Sequence, residues 1–341
     1  MRTKITLYVL LATLLSGTLA RSQSSTASPS TSSTFLAQAQ QSGLHFGSRG
    51  WEPPAIRSDG HQRAKDLSNL SIGSFGMIDF PRASGTIADG INNKGHIVGG
   101  DGGSDVLSYP THSFVLKGNS FRAIDYPGAI STEANAINDS EVVVGYYKDS
   151  AGGVHGFRFS GGTYVPIDHP RAKQPVGTVV WGINNAGDIV GGYGDGTKSS
   201  GFLLSNGVYS DIFVPGSVYT LALGINTFGQ IVGWYGDSSG NVHGFLLDSG
   251  TYTTIDYPGF PENYVEAIND NGQMVGGYGN PGPVYWQHGF LYQNGQFTSF
   301  DVPFGPPAVT LPSNINNHGT IVGTYQDNSG AWYGFIATVG R

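Results

Sequence analysis

From about residue 72 onward the chain is written in short runs of β-branched and aromatic residues broken by glycine-rich turns, a pattern that predicts many short strands rather than helices. The runs repeat. Ile-Asn returns six times, with its asparagine at Asn92, Asn138, Asn184, Asn226, Asn269 and Asn316, at spacings of 46, 46, 42, 43 and 47 residues. Val-Gly follows each, with glycines at Gly99, Gly145, Gly191, Gly233, Gly276 and Gly323. A Gly-Phe or Ser-Phe pair comes next, at Phe114, Phe157, Phe202, Phe245, Phe290 and Phe335. A proline closes each strand group, at Pro81, Pro127, Pro170, Pro215, Pro258 and Pro303.

Each unit reads as four strands. The first ends at Ile-Asn, and an Asn-x-x-Gly turn such as Asn184 to Gly187 opens the second, Asp188-Ile189-Val190-Gly191. A looser loop leads to the third strand, as in His243-Gly244-Phe245. The fourth follows a two-residue turn: Gly118-Asn119, Gly161-Gly162, Asn206-Gly207, Ser249-Gly250 or Asn294-Gly295. Four antiparallel strands in 42–47 residues are the dimension of a β-propeller blade. The ends agree with a closed ring. The last unit stops after its third strand, and an orphan fourth strand, Phe75-Gly76-Met77-Ile78-Asp79, precedes the first. The expectation is an all-β, six-bladed propeller of four antiparallel strands per blade, closed by the N-terminal strand completing the last blade.

Composition narrows the setting. Glycine supplies 53 of 341 residues and charged residues only 12%, which excludes a helical bundle. The formal charge is −7, and −9 once Arg2 and Lys4 are removed, a sign that argues against nucleic acid as a partner. Arg2 and Lys4 precede an apolar stretch over residues 5–15, and Thr18-Leu19-Ala20 offers small residues for cleavage. Residues 1–20 therefore read as a signal peptide, residues 21–70 as a disordered Ser/Thr-rich spacer, and residues 71–341 as the propeller. The chain has no cysteine, so an exported fold must hold without disulfides. A secreted monomer, extracellular or periplasmic and without membrane insertion after leader removal, is expected.

The segments His155-Gly156-Phe157, His243-Gly244-Phe245 and His288-Gly289-Phe290, with His112-Ser113-Phe114 as a variant, resemble the extracellular HAF repeat family, named for its His-Ala-Phe motif. The Ile-Asn-x-x-Gly-x-Ile-Val-Gly and Ile-Asp-Tyr-Pro-Gly segments match as well, so the resemblance covers about residues 72–341. Gly or Ser replaces the middle Ala here. The resemblance implies an exported bacterial protein and brings no established activity. Kelch propellers share the look of residues 190–193, but their downstream Tyr and Trp signature is missing.

The histidines invite chemistry. His112 and Asp125, His155 and Asp168, His243 and Asp256, and His288 and Asp301 are all 13 apart, which places the members opposite one another across the third hairpin. In the remaining complete unit both change together, to Ser200 and Phe213, and ring closure predicts Tyr333 opposite Asp79. Four copies around a ring read as structural His–Asp latches rather than metal ligands or an acid/base pair. Loop residues Asp149, Asp195, Asp237, Asn280 and Asp327 form an oxygen-rich set that calcium could use, but no segment has EF-hand spacing, and turn residues are the plainer reading. No other cofactor or metal is implied.

Constant repeat positions build the blade, whereas variable ones are free to recognise something. Three residues before each repeated Asn stand Asp89, Asn135, Trp181, Leu223, Glu266 and Ser313, a mixed ring expected near the channel mouth. Trp234, Trp286 and Trp332 also vary. The ligand-binding candidates are thus Asp89, Asn135, Trp181, Trp234, Glu266, Trp286 and Trp332. No nucleophile elbow, zinc-protease or phosphate-loop motif occurs. The reading is a non-catalytic binding module for extracellular carbohydrate or protein. The alternative is a polysaccharide hydrolase or lyase with Glu266 and Asp89 as its first catalytic candidates.

Overall fold

A constant glycine and a constant phenylalanine meet in the middle of every unit. In the computed structural model Gly99 pairs with Phe114, Gly145 with Phe157, Gly191 with Phe202, Gly233 with Phe245, Gly276 with Phe290 and Gly323 with Phe335. All six phenylalanines are fully buried. Each contributes on the order of 1.5–3 kcal/mol by leaving water. The structure describes residues 71–340 apart from 82, 84, 103–111, 282–286 and 306–308. The expected signal peptide and spacer, residues 1–20 and 21–70, lie outside the described residues.

Twenty-four strands are present among the described residues. β1 (Ile72–Ile78) stands alone at the start. The first full unit is β2 (Gly85–Ile91), β3 (Ile97–Gly102), β4 (Ser113–Lys117) and β5 (Ser120–Ala123). The next is β6 (Ser131–Ile137), β7 (Val143–Lys148), β8 (Val154–Ser160) and β9 (Thr163–Ile167). Then come β10 (Thr178–Ile183), β11 (Ile189–Gly194), β12 (Ser199–Ser205) and β13 (Val208–Ile212). They are followed by β14 (Tyr219–Ile225), β15 (Ile231–Gly236), β16 (Val242–Asp248) and β17 (Thr251–Ile255). After these come β18 (Glu262–Ile268), β19 (Met274–Gly279), β20 (His288–Gln293) and β21 (Gln296–Phe300). The last three are β22 (Val309–Ile315), β23 (Thr320–Gln326) and β24 (Trp332–Val339).

The strands form a propeller of antiparallel four-stranded sheets set in a ring. Four sheets stand separately: β2–β5, β6–β9, β10–β13, and β22–β24 with β1. In the last, β1 lies antiparallel to β24, with Met77 opposite Phe335 and Ile78 opposite Gly334, so the N-terminal strand covers what would be an open edge. The remaining eight strands are continuous instead of forming two separate sheets. Two meanders, β14–β17 and β18–β21, join through a single parallel pair, Val242 with Glu262. The two-residue turns have the handedness their residues require. Gly161-Gly162, Asn206-Gly207, Ser249-Gly250 and Asn294-Gly295 all have positive φ at both positions.

Two polar devices fasten each sheet to the next. Thr86, Thr132, Thr178, Thr220 and Thr310, with Asn263 in the same place, are buried near the start of the inner strands. Their side-chain oxygens accept the backbone N–H of Phe80, Tyr126, His169, Val214, Val302 and Tyr257, respectively, just past the preceding outer strand. The second device is the repeated asparagine. Its Oδ1 accepts backbone N–H groups two and four residues on, as Asn92 does from Lys94 and His96. Its Nδ2 donates to the carbonyl of the next unit's asparagine. The donors run Asn92 to Asn138, Asn138 to Asn184, Asn184 to Asn226, Asn226 to Asn269, Asn269 to Asn316 and Asn316 back to Asn92, at 2.9–3.2 Å. The belt is closed.

Candidate functional site

Every inner strand carries a β-bulge at the same place. The register slips between Ala88 and Gly90, Ala134 and Ala136, Val180 and Gly182, Ala222 and Gly224, Val265 and Ala267, and Pro312 and Asn314. The skipped residues are Asp89, Asn135, Trp181, Leu223, Glu266 and Ser313, the variable set picked out by sequence. The bulge explains the constant glycine beside it. A Cβ on Gly99, Gly145, Gly191, Gly233, Gly276 or Gly323 would stand 1.9–2.2 Å from a carbonyl oxygen of the inner strand.

Five of these six residues sit inside the ring rather than at its mouth, and Leu223 alone reaches the lining of the mouth. Asp89, Asn135, Trp181 and Leu223 are 3–5% exposed, while Glu266 and Ser313 are partly exposed. The mouth lies further along, where the inner strands end. Asn135 Nδ2 donates to Val180 O of the neighbouring inner strand at 2.7 Å, while its Oδ1 meets no donor among the described residues. Trp181 packs over Gly192 and joins Leu221, Leu223, Trp234, Tyr264 and Leu311 in an apolar plug across the ring. Trp234 is 2% exposed and meets Tyr219 edge-on at 5.4 Å; Trp332 packs against the same plug from its margin. Trp181 and Trp234 therefore have no face to offer a ligand. Trp286 lies outside the described residues. The two catalytic candidates, Glu266 and Asp89, stand on β18 and β2, with β22 between them in the ring.

The open depression is at the other end of the inner strands, where the asparagine belt lies. It is lined by the belt and by the residue after each belt member: Asn93, Asp139, Asn185, Thr227, Asp270 and Asn317. These form a second polar tier. Asp139 accepts Asn93 N and Asn93 Nδ2 at 2.8 Å, and Asn185 Nδ2 at 2.8 Å. Asp270 accepts Thr227 N at 2.9 Å and Asn317 Nδ2 at 2.7 Å. Asn317 N in turn donates to Asn93 Oδ1 at 2.8 Å. Burial works against the Asp270 charge, but the Thr227 and Asn317 donors outweigh it and hold the carboxyl below its ordinary range. A third tier, one residue further on, is exposed throughout and different in every unit: Lys94, Ser140, Ala186, Phe228, Asn271 and His318. Sequence reading passed over both outer tiers because the Asn-x-x-Gly segment was read only as a turn. The variability of its two middle positions was the available signal.

The opposite rim carries the histidines. His112 Nδ1 lies 2.9 Å from Asp125 Oδ2, His155 Nδ1 3.1 Å from Asp168, His243 Nδ1 2.6 Å from Asp256 Oδ2 and His288 Nδ1 2.9 Å from Asp301 Oδ2. In the unit with Ser200 and Phe213, the Phe213 ring instead takes the Lys198 ammonium at 3.9 Å. The loop aspartates belong to the same network. His155 Nε2 is 3.4 Å from Asp149 Oδ2, and His243 Nε2 is 3.4 Å from Asp237 Oδ2. The loop carboxylates also accept turn N–H groups, as Asp149 does from Ala151 and Gly153. Burial disfavours the charged His243, yet Asp256 and Asp237 raise its pKa. Beside it Glu262, at the joint between the two continuous meanders, is pushed up to about 7 by burial, which His243 only partly offsets. No cluster of three metal-capable His, Cys, Asp or Glu side chains occurs among the described residues.

Fold and site together define a β-propeller with a polar axial mouth on one face and an apolar plug behind it. No family model matches the chain, and no curated protein matches it. Among solved structures it is similar to a variant of the Aleuria aurantia lectin in complex with Fucα1-6GlcNAc. The identity is 11%, over 74% of this chain and 94% of that one, with a TM-score of 0.46. It is also similar to the β-propeller domain of the Trilobed protease from Pyrococcus furiosus, at 10% identity, 83% and 92% coverage and a TM-score of 0.47. A chain of a nidogen/laminin complex matches at 14% identity, 71% and 84% coverage and a TM-score of 0.40.

Proposed function

We propose that this chain is a secreted, non-catalytic binding module of the HAF repeat kind, taking an extracellular carbohydrate or protein at the asparagine mouth. We count its ring as six blades, because β14–β17 and β18–β21 repeat the four-stranded meander and share one residue pair. The observation that carries the functional reading is the polar second tier, in which Asp139 and Asp270 are fixed by amide donors around one depression. Groups already ordered in this way lose little freedom when a ligand arrives. Asp270 is held ionised, so at neutral pH it accepts hydrogen bonds and has no proton to give. The polysaccharide-cleaving alternative lacks comparable support, since Asp89 is buried at 3% exposure.

The test uses the full chain against a panel of oligosaccharides and extracellular proteins, read as a rise in unfolding midpoint. A ligand that shifts the wild type and fails to shift Asp139→Ala and Asp270→Ala, both still folded, supports the mouth. A ligand indifferent to both variants sinks it. Turnover of a polysaccharide, lost in Glu266→Gln, would establish the enzyme instead.

A further inference from the structure

The third tier of the mouth is chemically lopsided. Going round the ring, Asn271, His318, Lys94 and Ser140 are polar, and Ala186 and Phe228 are consecutive and apolar. Phe228 is 73% exposed, more than any other large hydrophobic side chain among the described residues. An exposed aromatic ring costs solubility and contributes nothing to the fold, and the turn does not need it. The same turn position is Lys, Ser, Ala, Asn or His in the other units, which make the same tight turn from the belt asparagine, closed by Gly in every unit but the Ser140 one, where Glu141 takes its place. The Phe228 backbone N–H donates to Asn226 Oδ1 at 3.1 Å, so the turn that carries it is tied to the belt.

The surroundings of Phe228 extend the contrast. The hairpin turn between the third and fourth strands of one unit abuts the inner turn of the next, as the ion pair between Lys117 Nζ and Glu141 Oε2 shows. The Phe228 turn is also tied to the hairpin of its own unit, where Gln230 Nε2 donates to Asp248 Oδ2 at 2.8 Å. On the other side, Thr227 N is bound to the Asp270 carboxylate, which also takes Asn317 Nδ2. Phe228 thus stands exposed at the rim, one residue beyond Thr227, which lines the depression. The sectors beside and across from Phe228 are fixed carboxylate and amide.

We infer that the mouth takes a pyranose residue, its apolar C–H face stacked on Phe228 and its hydroxyl edge bonded to the Asp270 and Asn317 side of the second tier. This rests on the mouth as the binding site and names the ligand class within it. The chemistry selects that class. A pyranose has one apolar face and a rim of groups that both donate and accept. The donors satisfy a carboxylate held ionised, and the acceptors suit amide N–H groups. A phosphate or carboxylate ligand would meet Asp139 and Asp270 as like charges. An aliphatic ligand would strand both carboxylates without water.

Isothermal titration of the full chain with methyl α- and β-pyranosides of glucose, galactose, mannose and fucose tests this, followed by the same titration on three variants. The expected result is binding of at least one pyranoside, weakened roughly tenfold by Phe228→Ala and largely kept by Phe228→Trp. Asp270→Ala should abolish it, with the unfolding midpoint of Phe228→Ala unchanged. No binding by any pyranoside overturns the inference. Binding that falls with Asp270→Ala but ignores Phe228→Ala overturns the stacking geometry and leaves the mouth as the site. Binding that ignores both substitutions removes the inference and the mouth together.

Discussion

Asn316 Nδ2 donates to the carbonyl of Asn92 at 3.0 Å across 224 residues of sequence, and that single bond closes a belt whose other links join neighbouring units. The same asparagine satisfies its own turn, accepting His318 N and Thr320 N, each at 3.0 Å, on Oδ1. One residue type does both because an amide has an acceptor on one side and two donors on the other. Aspartate keeps the acceptor and loses the donors, and serine is too short for both.

Replacing Asn316 separates the two roles. Asn316→Ala takes the Oδ1 acceptor from two turn N–H groups and leaves the Asn92 carbonyl with Gly95 N alone, at a cost of about 3 kcal/mol. For a domain of this size that is a fall of roughly 6–12 °C in the unfolding midpoint. Asn316→Asp keeps the turn but faces a carbonyl with a carboxylate, so it should fall between wild type and alanine only when protonated at low pH. An Asn316→Ala protein with the wild-type midpoint would show that the belt is decoration.

The bulge argument makes an opposing pair of glycine predictions. A Cβ on Gly145 would lie 1.9 Å from Glu133 O, a backbone atom that cannot yield without moving the inner strand. Gly145→Ala should therefore cost more than about 3 kcal/mol, the upper end for ordinary overpacking. Gly162 has φ 86° in a hairpin turn with nothing within 4 Å of its Cβ direction. Gly162→Ala should cost only about 1–2 kcal/mol of backbone strain. Urea midpoints of the two variants decide it, and equal costs would refute the bulge as the reason for the repeated glycine.

Much of this fold was legible because repetition exposes what a single strand hides. Gly99 and Phe114 could be recognised as anchors from their recurrence alone, and the two-residue turns from their Gly and Asn content. What recurrence cannot show is direction. Asn92 recurs as faithfully as Phe114, and Thr86 recurs in all but the Asn263 unit, yet their bonds run to neighbouring units, and nothing in one repeat says where the next lies in space. The site was harder still. Asp89 and Trp181 vary as a binding ring should, but they vary because a bulge turns each into a different gap of the axial interior. Phe228 and Asp270 sit in a turn whose constant residues drew attention away from its variable ones.

The histidines should titrate in two groups. Asp125 raises His112, and Asp256 with Asp237 raises His243 against the burial that opposes them. Burial lowers His96 and His169 below the ordinary value of about 6.5, with Glu141 and Asp211 opposing only weakly. One proton NMR titration of the imidazole resonances reads all four. Asp256→Asn should bring the His243 midpoint down and leave His96 where it is. A His243 midpoint below that of His96 in the wild type would contradict the latch geometry.

Glu262 gives the protein a pH dependence with a definite sign. Its carboxyl is buried at the joint with Val242, where Tyr219 is itself raised by burial and by the charges of Glu262 and Asp237. The folded value of about 7 lies above the unfolded one near 4.5, so the folded state binds the extra proton between them. The stabilisation this represents is fully present below pH 4.5 and is lost as pH rises through about 7, on the order of 2 kcal/mol in all. His243 acts in the same direction over its own range, since its pKa is also raised. Urea unfolding at pH 5 and pH 8 should therefore find the wild type less stable at the higher pH. Glu262→Gln, isosteric and uncharged, should flatten most of that difference by gaining stability at pH 8. His243→Gln should leave the Glu262 share in place. A Glu262→Gln protein whose stability falls from pH 5 to pH 8 as steeply as the wild type would place the dependence elsewhere and rule out a protonated carboxyl at the joint.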